Sequence, residues 1–143
     1  MHRLVKHFAW SIVCLLMATS AASAAAVCHV DEIIWKRIQR FDAGTRVKVT
    51  VGNSAAVERY FVQLSDTELI VLNLTADNLP KRQLLNMAID NPAWIAATSK
   101  STYRDNNLRI GPEGVFVKEQ KLAELASVVE RIPREKVSSI IKA

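Results

Sequence analysis

Few side chains in this chain could do chemistry, and they are scattered. Cys28 and His29 stand side by side, a thiol and an imidazole that could share a proton or hold a metal. Closed zinc sites take four ligands. The remaining cysteine and histidines are Cys14, His2 and His7, all in an N-terminal stretch that reads as a removable address. Without them the metal shell is incomplete, and with His29 as the one histidine left, close to the new terminus, no Ser-His-Asp or Cys-His nucleophilic site is expected. Carboxylates neighbour one another at Asp31/Glu32 and Asp66/Glu68. Acid–base work there would need burial to shift a pKa, whereas their positions suit a helix start and a hairpin turn. Asp105-Asn106-Asn107 lacks the alternating acids and distant Glu of a calcium loop and reads as a turn. No glycine-rich phosphate cradle is present, and the sequon-like Asn73-Leu74-Thr75 ends an apolar strand and is given no role. One grouping joins bases to aromatics: Lys81, Arg82, Trp94, Tyr103 and Arg104. Such types are over-represented at interface hot spots, so these five form the candidate interaction surface. The competing reading has Trp94 packing an inserted helix onto the core.

Residues 1–24 have the layout of a secretory signal peptide. Arg3 and Lys6 are the positive start, 8–18 is an apolar run of 11 residues, and Ala22-Ser23-Ala24 offers small side chains for cleavage; Ala24-Ala25-Ala26 would serve as well. A helix of that length reaches about 16 Å, well short of a hydrocarbon core of about 30 Å. Cleavage after Ala24 takes 24 of the 143 residues and leaves 119. It removes two positive side chains, so the formal charge falls from +5 to +3. The expected product is a secreted or periplasmic protein with no transmembrane segment, a flexible start at 25–30 and Cys28 as its one thiol. Half of the residues are hydrophobic and 23% are charged, which excludes a disordered polyelectrolyte and allows one domain over 31–143.

The elements follow from periodicity. Residues 31–41 carry Ile34, Ile38 and Phe41 at helical spacing with Trp35 beside them, and Gly44 stops the helix. Residues 45–51 alternate strictly, with Val47, Val49 and Val51 on one side, as a half-buried strand does. A second strand is expected at 59–64, and a third, nearly all-apolar one at 68–74 suits a central position covered on both faces. A helix is expected over 81–90, stopped at Asn91-Pro92, then a loop over 93–107 with room for a helical turn. Strands at 108–110 and 115–117 flank a four-residue connection, Gly111-Pro112-Glu113-Gly114. The end reads as a helical turn at 122–126, a strand at 128–132, a turn at 133–136 and a strand at 137–141.

A helix, then Gly44-Thr45-Arg46-Val47-Lys48-Val49, then strands over 60–74, and a closing Ile132-Pro133-Arg134-Glu135-Lys136-Val137-Ser138-Ser139-Ile140 together resemble the Sm-like small β-barrel. The chain is also similar to secreted bacterial proteins that open with a Trp-containing helix followed by Gly-Thr-x-Val. The resemblance implies a mostly β fold with α insertions (α+β): an N-terminal helix, a small antiparallel barrel, and a helix-hairpin insertion at about 75–127. It does not carry over RNA binding, because Arg131 is followed by Ile132 where those proteins have Arg-Gly. The expected function is an exported, non-enzymatic binding or assembly module that uses no cofactor and no metal. Its expected partner is another envelope protein, with an oligomer allowed and no nucleic acid. The alternatives are an envelope enzyme using distant carboxylates and, more weakly, an oligonucleotide-binding barrel.

Overall fold

A computed structural model describes residues 32–143; the signal-like stretch, the segment 25–30, Cys28, His29 and Asp31 lie outside the described residues. The alternation at 45–51 becomes β1 (Arg46–Val51), with Val47 and Val49 buried and Arg46 and Lys48 exposed. The chain turns through Gly52 into β2 (Val57–Leu64). It turns again at 65–67, where the Ser65 hydroxyl accepts the Thr67 and Glu68 amides at 3.3 and 3.1 Å. In β3 (Glu68–Leu72) every residue after Glu68 is buried, as the near-continuous apolar run requires. The late strands β8 (Val129–Pro133) and β9 (Val137–Lys142) complete an antiparallel five-stranded sheet in the order β8-β3-β2-β1-β9.

The link between its two edges bends this sheet. Pro133 pairs with Glu68 and Val137 with Val51, so β8 ends beside β3 and β9 begins beside β1. Only a 3-10 turn, Arg134–Lys136, lies between them. Flat, the four strand spacings alone would separate the edges by about 19 Å, too far for three residues in a tight turn. The sheet therefore coils until its edges approach. Arg134 N donates to Thr67 O at 2.8 Å and Gly52 N to Lys136 O at 2.9 Å, which pins the link to both hairpin turns. No ladder joins β8 to β9 among the described residues, so the sheet is curled and open rather than closed.

The concave side buries Val47, Val49, Phe61, Leu69, Val71, Ile132, Val137 and Ile140. Helix α1 (Glu32–Ile38) plugs it with Trp35 and Ile38. The helix is shorter than the expected 31–41, and its buried stripe is rotated. Trp35 is inside, Ile34 is 42% exposed, and the chain turns at Ile38 so that Phe41 meets Phe61 edge-on at 6.0 Å. Seven residues present a narrow face, and the largest ring takes it.

The convex side holds a second core. Val62, Ile70 and Leu72 pack there against the insertion. The insertion is built from α2 (Lys81–Asp90), α3 (Pro92–Ala96), the strands β4 (Tyr103–Asp105), β5 (Leu108–Gly111), β6 (Gly114–Val117) and β7 (Gln120–Ala123), and α4 (Leu125–Val128). The four strands form an antiparallel meander in chain order. Three expectations are corrected here. The 93–107 segment has the helical turn it had room for, α3, but its end is the strand β4 rather than loop. The helical turn at 122–126 gives way to β7 through Ala123, because pairing with β6 (Phe116 with Lys121, Val115 with Ala123) outweighs local helix preference. The four-residue connection closes to Pro112-Glu113, since Gly111 and Gly114 pair with each other. The whole is α+β with mostly strands, and no helix among the described residues is long and apolar enough to cross a membrane.

Candidate functional site

The five residues singled out in the sequence separate into a packed pair and three exposed bases. Trp94, at the centre of α3, and Tyr103, the first residue of β4, lie with ring centroids 4.5 Å apart, tilted by 50°. Both are half-buried against the convex-side core, so the pair fastens α3 to the second sheet. Lys81 opens α2 and reaches the Asp77 carboxylate at 4.0 Å. Arg82 and Arg104 are exposed. The aromatic half of the grouping is thus accounted for by packing, the competing reading.

Three of the described carboxylates are bonded to arginines from other elements. Glu32 accepts from Arg134 Nη2 at 2.5 Å and lies 3.8 Å from Lys36. The Arg134 hydrogen bond, then the Arg134 charge, hold its carboxyl below the ordinary value, with Lys36 adding to the same direction. Glu68 accepts from Arg131 Nη1 at 2.8 Å. Glu130 is gripped hardest: Arg59 donates through Nε at 2.9 Å and Nη2 at 3.2 Å, and the Asn73 amide donates at 3.1 Å. A forked guanidinium on a carboxylate is the strong form of ion pair. Asn73, noted in the sequence only as part of a sequon, also anchors Thr75 through its side-chain oxygen.

The Arg59–Glu130 pair and Arg131 flank a groove of about 500 Å³ along β8. Its apolar lining comes from Val51, Val57, Ala126, Val129, Ile132 and Pro133, with Arg59, Glu130, Arg131 and Lys136 at its sides. The coil of the sheet makes the groove, because it brings the β1–β2 turn across from β8. Two smaller grooves, each a little under 300 Å³, share Arg131 as a wall. Arg131 leaves β8 to bond both Glu68 and the carbonyl of Ala96, which ties the sheet to the end of α3. Each of the three grooves has a single carboxylate on its lining, Glu130, Glu68 and Glu124 in turn. Among the described residues no three of His, Cys, Asp and Glu gather as a metal shell.

Sequence reasoning did not find Arg59, Glu130 or Arg134 as partners. Arg59 and Glu130 are 71 positions apart, and only the order of strands joins them. Comparison with protein-family models, with curated proteins and with solved structures finds no match to this chain.

Proposed function

We propose that this chain is an exported, non-enzymatic binding or assembly module on an Sm-like curled sheet, and that the open edge of β8 with its groove takes an extended strand from a partner. The observation carrying this reading is that β8 and β9, the outer strands of the five-stranded sheet, have no further strand beside them among the described residues, while the groove at β8 has an apolar lining. An open edge next to apolar pockets is how sheets recruit peptide strands: main-chain bonds supply affinity and the pockets supply selectivity. The strand order, the three-residue link and the helix over the concave side support the Sm-like reading. Export rests on residues 1–24. The non-enzymatic reading is supported by the carboxylates: an acid–base site needs two that converge, whereas each groove has one, and Glu68 and Glu130 are bonded to arginines.

A photoreactive residue at Val57, on the groove rim and 39% exposed, tests the edge in intact cells, with the same residue at Lys48 as control. The expected result is a discrete adduct from position 57 alone, with another envelope protein or a second copy of the chain. No adduct, or the same adducts from both positions, refutes the groove as the contact. The mass of the mature N-terminus separately tests export: it should begin after Ala24 or Ala26.

A further inference from the structure

The inserted sheet turns Leu108, Ile110 and Val115 into the core, which leaves it an outer side. Register decides what stands there. Arg104 faces Arg109, Arg109 faces Phe116, and Phe116 faces Lys121. Directly opposed residues of paired strands project to the same side, so β4, β5, β6 and β7 each give one side chain to a single row. At strand spacing the row covers about 14 Å, with the exposed cations Arg104 and Lys121 at its ends and, between them, Phe116, whose face Arg109 (side chain 18% exposed) covers at 3.8 Å. Lys118 adds a fourth, exposed cation in the β6–β7 turn, where it and Glu119 both have positive φ, +49° and +67°.

The Arg109–Phe116 stack is packing, but folding alone gives no reason to set Arg104 opposite Arg109 or to place Lys118-Glu119 in the turn. Like charges on facing positions repel, and Asn-Gly is the relaxed solution for a two-residue turn with two positive φ values. Two acids stand near the row: Glu113 lies 3.4 Å from Arg109 and Glu124 2.5 Å from Lys121, both with well-exposed side chains. Glu119 adjoins Lys118 in the turn. Arg104 has no acid within ion-pair distance among the described residues. None of the four row residues lines the grooves described above. A small anion would therefore be held from one side only, whereas a broad anionic surface could meet the exposed cations Arg104, Lys118 and Lys121 at once.

We propose that this row is a docking face for anionic phospholipid headgroups, used with the sheet lying against a bilayer. The placement rests on the exported reading only for where such a surface is met. The test is made on the purified chain whether or not it is exported, so either can fail without the other. Vesicles of phosphatidylglycerol and phosphatidylcholine are compared with phosphatidylcholine alone by co-sedimentation at low and high salt. The chain should sediment with the anionic vesicles alone and be released by salt, since exposed charges are screened. Each cation near an anionic surface contributes about fivefold in partition. Arg104→Gln with Lys118→Gln should therefore weaken binding by roughly 25-fold, with the thermal midpoint kept. Arg46→Gln with Lys48→Gln, two exposed cations of the other sheet, should leave binding unchanged. Equal binding to neutral vesicles, equal losses from both double variants, or tighter binding to a thymidine oligonucleotide than to the vesicles would overturn the proposal.

Discussion

Trp35 decides whether α1 belongs to the core or is a free helix available to a partner. Its side chain is 1% exposed, its Nε1 donates to Ser65 O at 2.9 Å, and the Arg134 guanidinium lies 5.0 Å over its ring. Trp35→Ala removes a large buried ring and leaves a cavity under the curled sheet, a loss of about 3–5 kcal/mol. Trp35→Phe keeps an aromatic ring. It loses one hydrogen bond, about 1 kcal/mol, and the burial of the second ring's extra atoms, about 1 kcal/mol more, so about 2 kcal/mol in all. Against a typical total of about 5–15 kcal/mol, the alanine variant should lose about 15 °C in Tm, at about 4 °C per kcal/mol for a domain of this size. Urea unfolding followed by far-UV circular dichroism, with Trp94 fluorescence as a second probe, measures both variants. A cost below about 1 kcal/mol for Trp35→Ala, or equal costs for the two, would refute the argument and leave α1 as a partner-binding helix.

Gly114→Ala should cost more than about 3 kcal/mol, because φ is +134° and a Cβ would stand 2.4 Å from the Ala123 carbonyl of β7. Gly52→Ala, at φ +56° with open space around it, should cost about 1 kcal/mol; equal urea midpoints for the two would refute the packing of β6 on β7. Arg59→Met should cost about 1–2 kcal/mol, since it strips the forked donor from a part-buried Glu130. The Arg59→Met, Glu130→Gln double variant should cost less than the sum of its singles, as a double-mutant cycle on thermal midpoints would show. The Glu32 carboxyl has a lowered pKa in the folded chain, so its contribution is present above the ordinary carboxylate range and lost as pH falls through the lowered value. The stability gap between wild type and Glu32→Gln should thus be flat at neutral pH and close on acidification; a gap that widens in acid would contradict the Arg134 contact.

What could be read in the sequence depended on whether a residue's fate was decided locally. Val47 and Val49 alternate with Arg46 and Lys48, and period two places a strand without further information. The all-apolar 69–72 run foretold a strand buried on both faces, and β3 is one. By contrast β4 is Tyr-Arg-Asp and β7 is Gln-Lys-Leu-Ala. Neither has an apolar alternation long enough to register, and both are strands because β5 and β6 offer them free edges. Ile34 and Trp35 are neighbours in sequence but stand about 100° apart around the helix, and only the shape of the concavity chose the indole. The site followed the same division. Trp94 and Tyr103 met across nine positions of one insertion, whereas the Arg59–Glu130 fork and the Arg104–Arg109–Phe116–Lys121 row exist only through register.

The two cores share β3 as a wall. Leu69 and Val71 face the concave core, while Ile70 and Leu72 face the insertion. Neighbouring β8 repeats the division, with Ile132 on the concave side and Val129 on the convex side. The edge is therefore gripped from both faces, and Arg131 adds a strut from it to the end of α3. An edge strand fixed in this way has little freedom left to lose when another strand pairs with it, and preorganisation of that kind raises affinity by reducing the entropy lost on binding. The long insertion between β3 and β8 then has a physical role even where it touches no partner. Without α3, α4 and the second sheet, β8 would be backed on its concave side alone. Its groove would also lose Ala126, which α4 contributes.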